Sequence, residues 1–377
     1  MKILMIGGSG IISSEICNLA ICNGDSVTIF NRGKRKETIN PSANLIIGDI
    51  RNEAVEAIKD KLEYSYDVVI DFISYTPSQL KKTLDITADR CKQFVFVSSA
   101  TAYSPDAGLP YNENVKLENH LWKYAQDKAD CEKYLREAFL PCCYTIIRPY
   151  ITYGHTRIPY QIIPIEYYTL INRIKCHKPI MICNPDTKCT LTNAKDFAVG
   201  AYGLLLNSKA YAEAFHITGD YQTTWGNVIR IIAQKLQTEA NIIDIPYDYI
   251  KAHRNECGFD ADEILGDKGR NMIFDNSKIK SVVSSFKDFQ SFEDSIEDSI
   301  KYFNNPIHQV INFRWDADMD RFIEKYAKNK GINVDFTKLT IRSYGSGISK
   351  EQMKVYQDNR TVARKFISKV KRNLIRK

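Results

Sequence analysis

Residues 2–13, KILMIGGSGIIS, constrain this chain more than any other stretch. Ile3, Leu4, Met5 and Ile6 run without a polar break, as in a strand buried on both faces. Gly7, Gly8 and Gly10 follow at once, and Ile11, Ile12, Ile16, Leu19 and Ala20 then recur at helical spacing. The order strand, glycine turn, helix is the setting in which such glycines carry meaning. A turn without Cβ atoms lets a pyrophosphate approach the backbone. The helix N-terminus adds N–H groups and a positive dipole end. The plain alternative is a glycine turn with no ligand, and the elements that follow in order weigh against it.

A second strand is expected at 26–30 (SVTIF), followed by Asn31, Arg32, Gly33, Lys34 and Arg35. In a dinucleotide fold the end of this strand meets the adenosine ribose. A carboxylate there favours NAD, and an arginine accommodates the 2′-phosphate of NADP. Arg32 stands there with no carboxylate, which favours NADP over NAD; a solvated basic loop is the other reading. Residues 45–47 are a third strand ending in Gly48, Asp49, Ile50 and Arg51. Asp49 suits an adenine amino group and equally a helix N-cap. Residues 68–72 (VVIDF) form a fourth strand leading into Ser74 and Tyr75 beside the cofactor, and 94–97 (FVFV) a fifth, opening into Ser98, Ser99, Ala100 and Thr101. Strands alternating with helices in this way predict an α/β fold with a parallel, doubly wound sheet whose ligands sit at the carboxyl edge.

Tyr124 and Lys128 follow in WKYAQDKADCEKYL, on a helix that places both on one face. An ammonium beside a phenol favours the phenolate and lowers a pKa normally near 10. A serine hydroxyl can then orient a carbonyl or carbinol, so that these groups move a proton while a nicotinamide moves a hydride. A lone YxxxK is weak in a chain with 22 tyrosines. Glycine turn, serine after the fifth strand and YxxxK in the next helix, in that order, form a much stronger constellation.

The totals of the 377-residue chain fit a globular protein of one large or two ordinary domains, with 44% hydrophobic and 26% charged residues. No run of 18 apolar residues suggests a membrane span. The first strand begins by residue 3, which leaves no room for a signal peptide, and the expected location is cytoplasmic. The ten cysteines lack CxxC spacing and are expected as free thiols; the six scattered histidines suggest no metal site. The net charge of +7 is modest, and much of it lies near the C-terminus, so nucleic acid is not implied.

These motifs resemble the extended short-chain dehydrogenase/reductases, which include nucleotide-sugar 4-epimerases, 4,6-dehydratases and 4-ketoreductases. The resemblance covers roughly residues 1–330. Gly7 and Gly10 match the first two glycines of the family's GxxGxxG turn, and Ser13 replaces the third. Asp49 matches the adenine-contacting aspartate, with Ile50 beside it. Ser99 matches the catalytic serine or threonine, and Tyr124 and Lys128 the catalytic pair. Arg148-Pro149, after a sixth strand at 144–147, matches the RP signature that flanks the nicotinamide. The resemblance thus implies a Rossmann-type NAD(P) domain over 1–160, with returns near 190–220, and a smaller substrate domain over 161–330. A C-terminal extension, 331–377, follows. Asn31, Arg32, Ser74 and Lys128 join the implied cofactor site; Thr101, Arg157 and Arg270 join Ser99 on the substrate side.

Dehydratases of this family carry T-D-E-x-Y, whose acids eliminate water. Here the run is Ser99-Ala100-Thr101, which counts against 4,6-dehydration. The family's 4-epimerases carry SSSATVYG, close to VSSATAYS, whereas Arg32 points to an NADPH-consuming ketoreductase; both readings stand. A homodimer is implied by the same resemblance. The alternative of another class is a non-catalytic dinucleotide-sensing or RNA-associated protein on the same fold. A short strand and turn are expected within 331–347. Residues 361–377 carry seven Lys/Arg and no acid, with Val362, Phe366, Val370 and Leu374 on one stripe, a basic amphipathic helix. That helix suits an anionic membrane surface or acidic partner, or packing against its own fold.

Overall fold

The computed structural model describes residues 1–162, 164–287 and 289–361. Seven strands build one sheet: β1 (Lys2–Ile6), β2 (Ser26–Asn31), β3 (Asn44–Ile47), β4 (Tyr66–Asp71), β5 (Cys91–Val97), β6 (Cys143–Pro149) and β7 (Ala214–Ile217). Their order is β7-β6-β5-β4-β1-β2-β3, and every pairing is parallel. The order reverses at β1, so the crevice for a ligand opens between the carboxyl ends of β1 and β4. This is the Rossmann-type α/β sheet that the strand and helix alternation predicts.

Alternation along the strands divides the apolar residues between two cores. On β1, Ile3 and Met5 join one cluster, and Leu4 and Ile6 the other. On β5, Val95 and Val97 face the first, and Phe94 and Phe96 the second. Helices cover both faces, which is why the strands read as continuous apolar runs. α1 (Ile11–Cys22) brings Ile16 and Ala20 to the first core, where Phe197 and Ala201 of the helix Ala194–Gly203 join them. α2 (Val55–Lys59), α3 (Pro77–Thr87) and α4 (Lys123–Glu137) lie on the second face, with Ile58, Leu80, Leu84, Cys131 and Leu135 packed there. α3 begins at Pro77 for chemical reasons: Thr76 Oγ1 accepts the Gln79 N–H at 3.4 Å, and Pro77 occupies the first turn. β5 starts earlier than its apolar run. Buried Gln93 fits the strand by donating to Thr145 Oγ1 at 2.8 Å and to the Leu204 carbonyl at 3.1 Å.

The chain divides into two compact units. The first comprises Met1–Gly154, Thr190–Gln222 and Met272–Phe292, and contains the sheet. The second comprises His155–Cys189, Thr223–Asn271 and the chain from Glu293 onward. Within the second unit, Ile180–Ile182 pairs in parallel with Ile242–Asp244. Its centre is ionic. Arg173 reaches Asp316 and Asp320 at 2.6 Å each, and Lys178 reaches the same two carboxylates at 2.6 Å each. All four side chains are at most 1% exposed. Both aspartates come from the helix Phe313–Lys330. Burial works against the charge on Asp316, but Lys178 and Arg173 outweigh it and hold the carboxyl below its ordinary range.

The Tyr344 hydroxyl donates to Asp316, and that of Tyr356 to Asp320. These bonds correct the expected strand within 331–347. The segment instead forms short 3₁₀ turns, Phe336–Lys338 and Ile341–Gly347, because it bends to bring Tyr344 to the cluster. A helix, Lys350–Asn359, follows behind a Ser349/Gln352 capping box. The basic amphipathic helix expected over 361–377 lies outside the described residues. Among the described residues, no helix is long and apolar enough to cross a membrane.

Breaking a buried ion pair leaves an uncompensated charge. Asp320→Asn is expected to destabilise the protein by ~3–5 kcal/mol. Denaturant unfolding of the variant beside the wild type measures this; a change within about 0.5 kcal/mol contradicts it.

Candidate active site

The glycine turn has the geometry its residues suggest. Gly7 has φ +110°, a conformation that disfavours side chains, and a Cβ there would lie 2.8 Å from Ile73 Cγ2. Its N–H donates to the Phe30 carbonyl at 3.0 Å. Gly10 is different. It is extended, and among the described residues a Cβ would approach only Ser13 Oγ, at 3.6 Å. Nothing among the described residues requires glycine there, so the bare backbone at the start of α1 fits a ligand that approaches closely. Ser13, in the third glycine's place, is buried, and its hydroxyl accepts from Gly10 N–H at 2.9 Å and donates to the Gly10 carbonyl at 3.0 Å.

A cleft of about 350 Å³ opens beside this turn, lined among others by Gly7, Asn31, Arg32, Asp49, Ile50 and Tyr75. Asn31 was expected to hold the cofactor. Its amide instead donates to the Gly7 carbonyl at 2.8 Å and accepts the Gly33 N–H at 2.7 Å, so it stiffens the turn. Asp49 accepts from Arg51 N–H at 3.0 Å and from Asn52 Nδ2 at 2.9 Å. The Arg51 N–H holds its carboxyl below the usual carboxylate range, and Asn52 and Arg32 act in the same direction. Asp49 thus closes the turn ahead of α2, whose N-cap is Ala54, while still lining the cleft. Arg32, Lys34, Arg35 and Arg51 also line the cleft. That excess of positive charge, with the open backbone at Gly10, fits a dinucleotide phosphate group.

At the carboxyl edge of β4 and β5, Lys128 of α4 is 2% exposed. Its ammonium donates to the carbonyls of Ser74 and Val97, each at 2.8 Å. It lies 4.9 Å from the ring centres of Tyr75 and Phe96. Burial pulls its pKa down to about 8, while the Asp71 charge works the other way. Asp71, at the end of β4, is fully buried. Burial pushes its carboxyl up, against bonds from Ser74 and Ile73 and the charge of Lys128. Ser74 was expected at the cofactor. Its carbonyl holds Lys128 and its hydroxyl pairs with Thr83 Oγ1 at 3.2 Å, so it contributes through the lysine.

Tyr124 sits one helical turn before Lys128, half-buried, with its ring 6.1 Å from that of Tyr75 and 4.8 Å from that of Trp122. Tyr75 therefore touches both members of the pair. Ser99 caps the short turn Ala100–Ala102. Its oxygen accepts the Thr101 N–H at 3.3 Å and the Thr101 hydroxyl at 3.0 Å. With both lone pairs engaged, Ser99 is left as a donor. Thr101, expected on the substrate, directs its hydroxyl proton to Ser99 instead.

Arg148 donates bidentately to Glu132 of α4 at 2.8 and 2.6 Å, and to the Tyr103 hydroxyl at 2.9 Å. Burial opposes its charge, yet Glu132 prevails and holds the guanidinium protonated. Its fork is engaged by the protein, through Glu132 and Tyr103. His216 Nε2 bonds the Asp275 carbonyl at 2.8 Å, so Nδ1 accepts from Tyr103 at 3.0 Å. Burial pushes the His216 pKa down to about 4, so the ring is neutral at pH 7. Arg157 and Arg270 both belong to the second unit. The Arg157 guanidinium lies 5.9 Å from the Tyr167 ring centre, and Arg270 Nε donates to the Gly266 carbonyl at 3.2 Å. Sequence reasoning overlooked Asp71 and Glu132 as parts of this site, and it placed Tyr75 beside the cofactor without pairing it with Tyr124 and Lys128. For Glu132, the signal was its i+4 spacing from Lys128.

Residues 3–217 match the model of the NAD dependent epimerase/dehydratase family, more than half of the chain. The chain belongs to that family. This NAD dependent epimerase/dehydratase family member is 24% identical over 246 residues to the chloroplast stem-loop binding protein of 41 kDa b of Arabidopsis thaliana. That match covers 62% of this chain and 62% of the relative, so the chain spans less than two thirds of the relative's length. It is 32% identical over 142 residues to a UDP-glucose 4-epimerase of Klebsiella pneumoniae, covering 30% of this chain and all of that protein. In fold it is similar to the UDP-glucuronic acid 4-epimerase of Bacillus cereus, solved with UDP-glucuronic acid and NAD. The TM-score is 0.63 at 17% identity, over 81% of this chain and 99% of that one.

A lysine with a depressed pKa has a folded-state charge that opposes folding. The penalty is complete below pH about 8 and vanishes above the unfolded value of about 10.4. An NMR titration of lysine Cε resonances is expected to show one signal titrating near pH 8 that disappears in Lys128→Met. A wild-type spectrum in which all lysines titrate above pH 10 contradicts the burial argument.

Proposed function

We propose that this family member transfers a hydride at C4 of a nucleotide-linked hexose, as an NAD(P)-dependent 4-epimerase or 4-ketoreductase. The observation that carries this reading is Lys128. It is a buried ammonium held at the carboxyl edge of the sheet by two main-chain carbonyls, one turn from Tyr124 and beside the cofactor-type cleft. The similar UDP-glucose and UDP-glucuronic acid 4-epimerases support the substrate class.

Tyr124 acts as the acid/base on the sugar hydroxyl. Lys128 favours its phenolate and offers its remaining N–H to a ribose oxygen. Ser99, kept a donor by Thr101, orients the sugar oxygen. Tyr75 lies against both the Tyr124 ring and the Lys128 ammonium. A bound nicotinamide supplies the hydride chemistry. Gly7, Gly10 and the start of α1 receive its pyrophosphate, and Asp49 and Ile50 its adenine. Arg157 and Arg270 are assigned to the substrate diphosphate on guanidinium chemistry alone. Neither an Asp nor a Glu accompanies Ser99, which favours redox cycling at C4 over 4,6-elimination. A homodimer is part of the same proposal.

NADP is the proposed cofactor. No carboxylate ends β2, Asn31 is engaged with the turn, and Arg32, Lys34 and Arg35 line the cleft. A second reading is RNA stem-loop binding, favoured by the name of the Arabidopsis relative and by the same cations. Turnover of a nucleotide sugar by the wild-type chain separates the two.

Tyr124→Phe is expected to bind dinucleotide normally and to lower turnover of UDP-glucose or UDP-galactose by ~10²-fold or more. Near-normal turnover removes Tyr124 from the mechanism. In calorimetric titrations, NADP is expected to bind ~10-fold or more tightly than NAD, and Arg32→Ala to abolish that difference. Equal wild-type affinities reject the NADP assignment.

A further inference from the structure

Ten cysteines in one chain pose a question that the cofactor cleft does not answer. Two of them meet at the edge of the sheet opposite the glycine turn. Cys91 is the first residue of β5, and Cys142 stands immediately before β6. β5 and β6 are neighbours, paired in parallel with Gln93 opposite Cys143. Strands about 4.8 Å apart, and a step of about 3.3 Å along one of them, bring the two Cα atoms to about 6 Å. That separation lies in the range a disulfide spans, about 4.4–6.8 Å. Both side chains pack against the same apolar cluster, which includes Phe94 and Leu135. Both are partly accessible, and both are free thiols.

We propose that Cys91 and Cys142 form an oxidisable thiol pair that closes a reversible disulfide when a peroxide is present. Two electrons pass from sulfur to the peroxide. The Cys142 thiolate attacks one peroxide oxygen, breaking the O–O bond to give a sulfenic acid and hydroxide. The Cys91 thiol then attacks the sulfenic sulfur, forming the S–S bond and releasing water once its proton has passed to the departing oxygen. The sum is two thiols and one hydrogen peroxide giving one disulfide and two waters.

The two thiols have unequal roles. The neighbouring Cys91 thiol holds the Cys142 thiol below its ordinary pKa despite partial burial. The same neighbour, together with burial and the charge of Asp89, pushes the Cys91 thiol well up. Cys142 is therefore the attacking sulfur and Cys91 the resolving one. Buried thiols elsewhere lack such a partner: burial alone pushes Cys17 up to about 11.

The position gives the bond a consequence. A Cys91–Cys142 disulfide encloses β5, α4 and the chain up to the start of β6, a loop that carries Ser99, Tyr124 and Lys128. It would tie the roots of the two strands together without touching any of those three side chains. Oxidation would therefore stiffen the crossover and raise its resistance to unfolding while leaving the cleft unaltered.

The test uses the full chain, reduced, freed of reductant and exposed to hydrogen peroxide at a few equivalents. Proteolysis without reduction and mass spectrometry should find a peptide pair joined through Cys91 and Cys142, lighter by two hydrogens and restored by dithiothreitol. Cys142→Ser should abolish it, and Cys143→Ser should leave it in place. In a timed iodoacetamide reaction at pH 7.5, Cys142 should be alkylated ~10-fold faster than the more exposed Cys22. The proposal is overturned if peroxide leaves Cys91 and Cys142 unlinked while oxidising Cys143 or Cys22, or if Cys142 reacts no faster than Cys22. Dinucleotide binding is not a readout here, so the outcome is independent of the proposed function.

Discussion

One buried ammonium ties the first unit together at its functional edge. Lys128 leaves α4 and donates to the last carbonyl of β5 and to the Ser74 carbonyl just beyond β4. A charge at 2% exposure is costly unless it is hydrogen-bonded, so the lysine fixes where those three elements meet. Asp71 adds an opposing charge at the end of β4 and orders the turn into Ser74 through two N–H bonds. Tyr75 then lies against both Lys128 and Tyr124. The position of the phenol follows from that of the lysine, because one helical turn separates them.

A second strut holds the same helix one turn further along. Glu132, one turn beyond Lys128, receives the Arg148 fork from the end of β6. Arg148 continues through Tyr103, four residues past Ser99, to neutral His216 on β7. The elements that carry Ser99, Tyr124 and Lys128 are thus cross-linked by a continuous polar network. Such networks are strong when every member is satisfied, and their strength lies in geometry more than in net stability. The second unit uses the same device: Arg173 and Lys178 against Asp316 and Asp320, closed by Tyr344 and Tyr356.

Much of the first unit was legible from sequence. The run Ile3–Ile6 and the glycines after it have only one good solution, a buried strand entering a helix through a turn with positive φ. The seven-strand parallel sheet followed from apolar runs alternating with helical spacing. Tyr124 and Lys128 could be paired because four residues on a helix is a local relation. What local pattern does not show is the partner of a side chain that has a choice of partners. Asn31, Ser74 and Arg148 all stand at the expected cleft or edge, yet each is engaged by the protein itself. An arginine at the end of a strand looks alike whether it faces a ligand or a glutamate sixteen residues earlier in the chain.

The sequence by itself determined the strand order's raw material, the turn and the catalytic-type pair, because these depend on periodicity and on backbone freedom within a few residues. Only the tertiary structure decided which polar groups face a ligand and which brace the fold. It also decided that residues 331–347 bend into 3₁₀ turns rather than a strand, drawn by Tyr344 to an aspartate 28 positions away. The physical reason is the same in each case. A buried charge takes the best partner within reach, and reach in space is set by how distant segments pack, which no local pattern records.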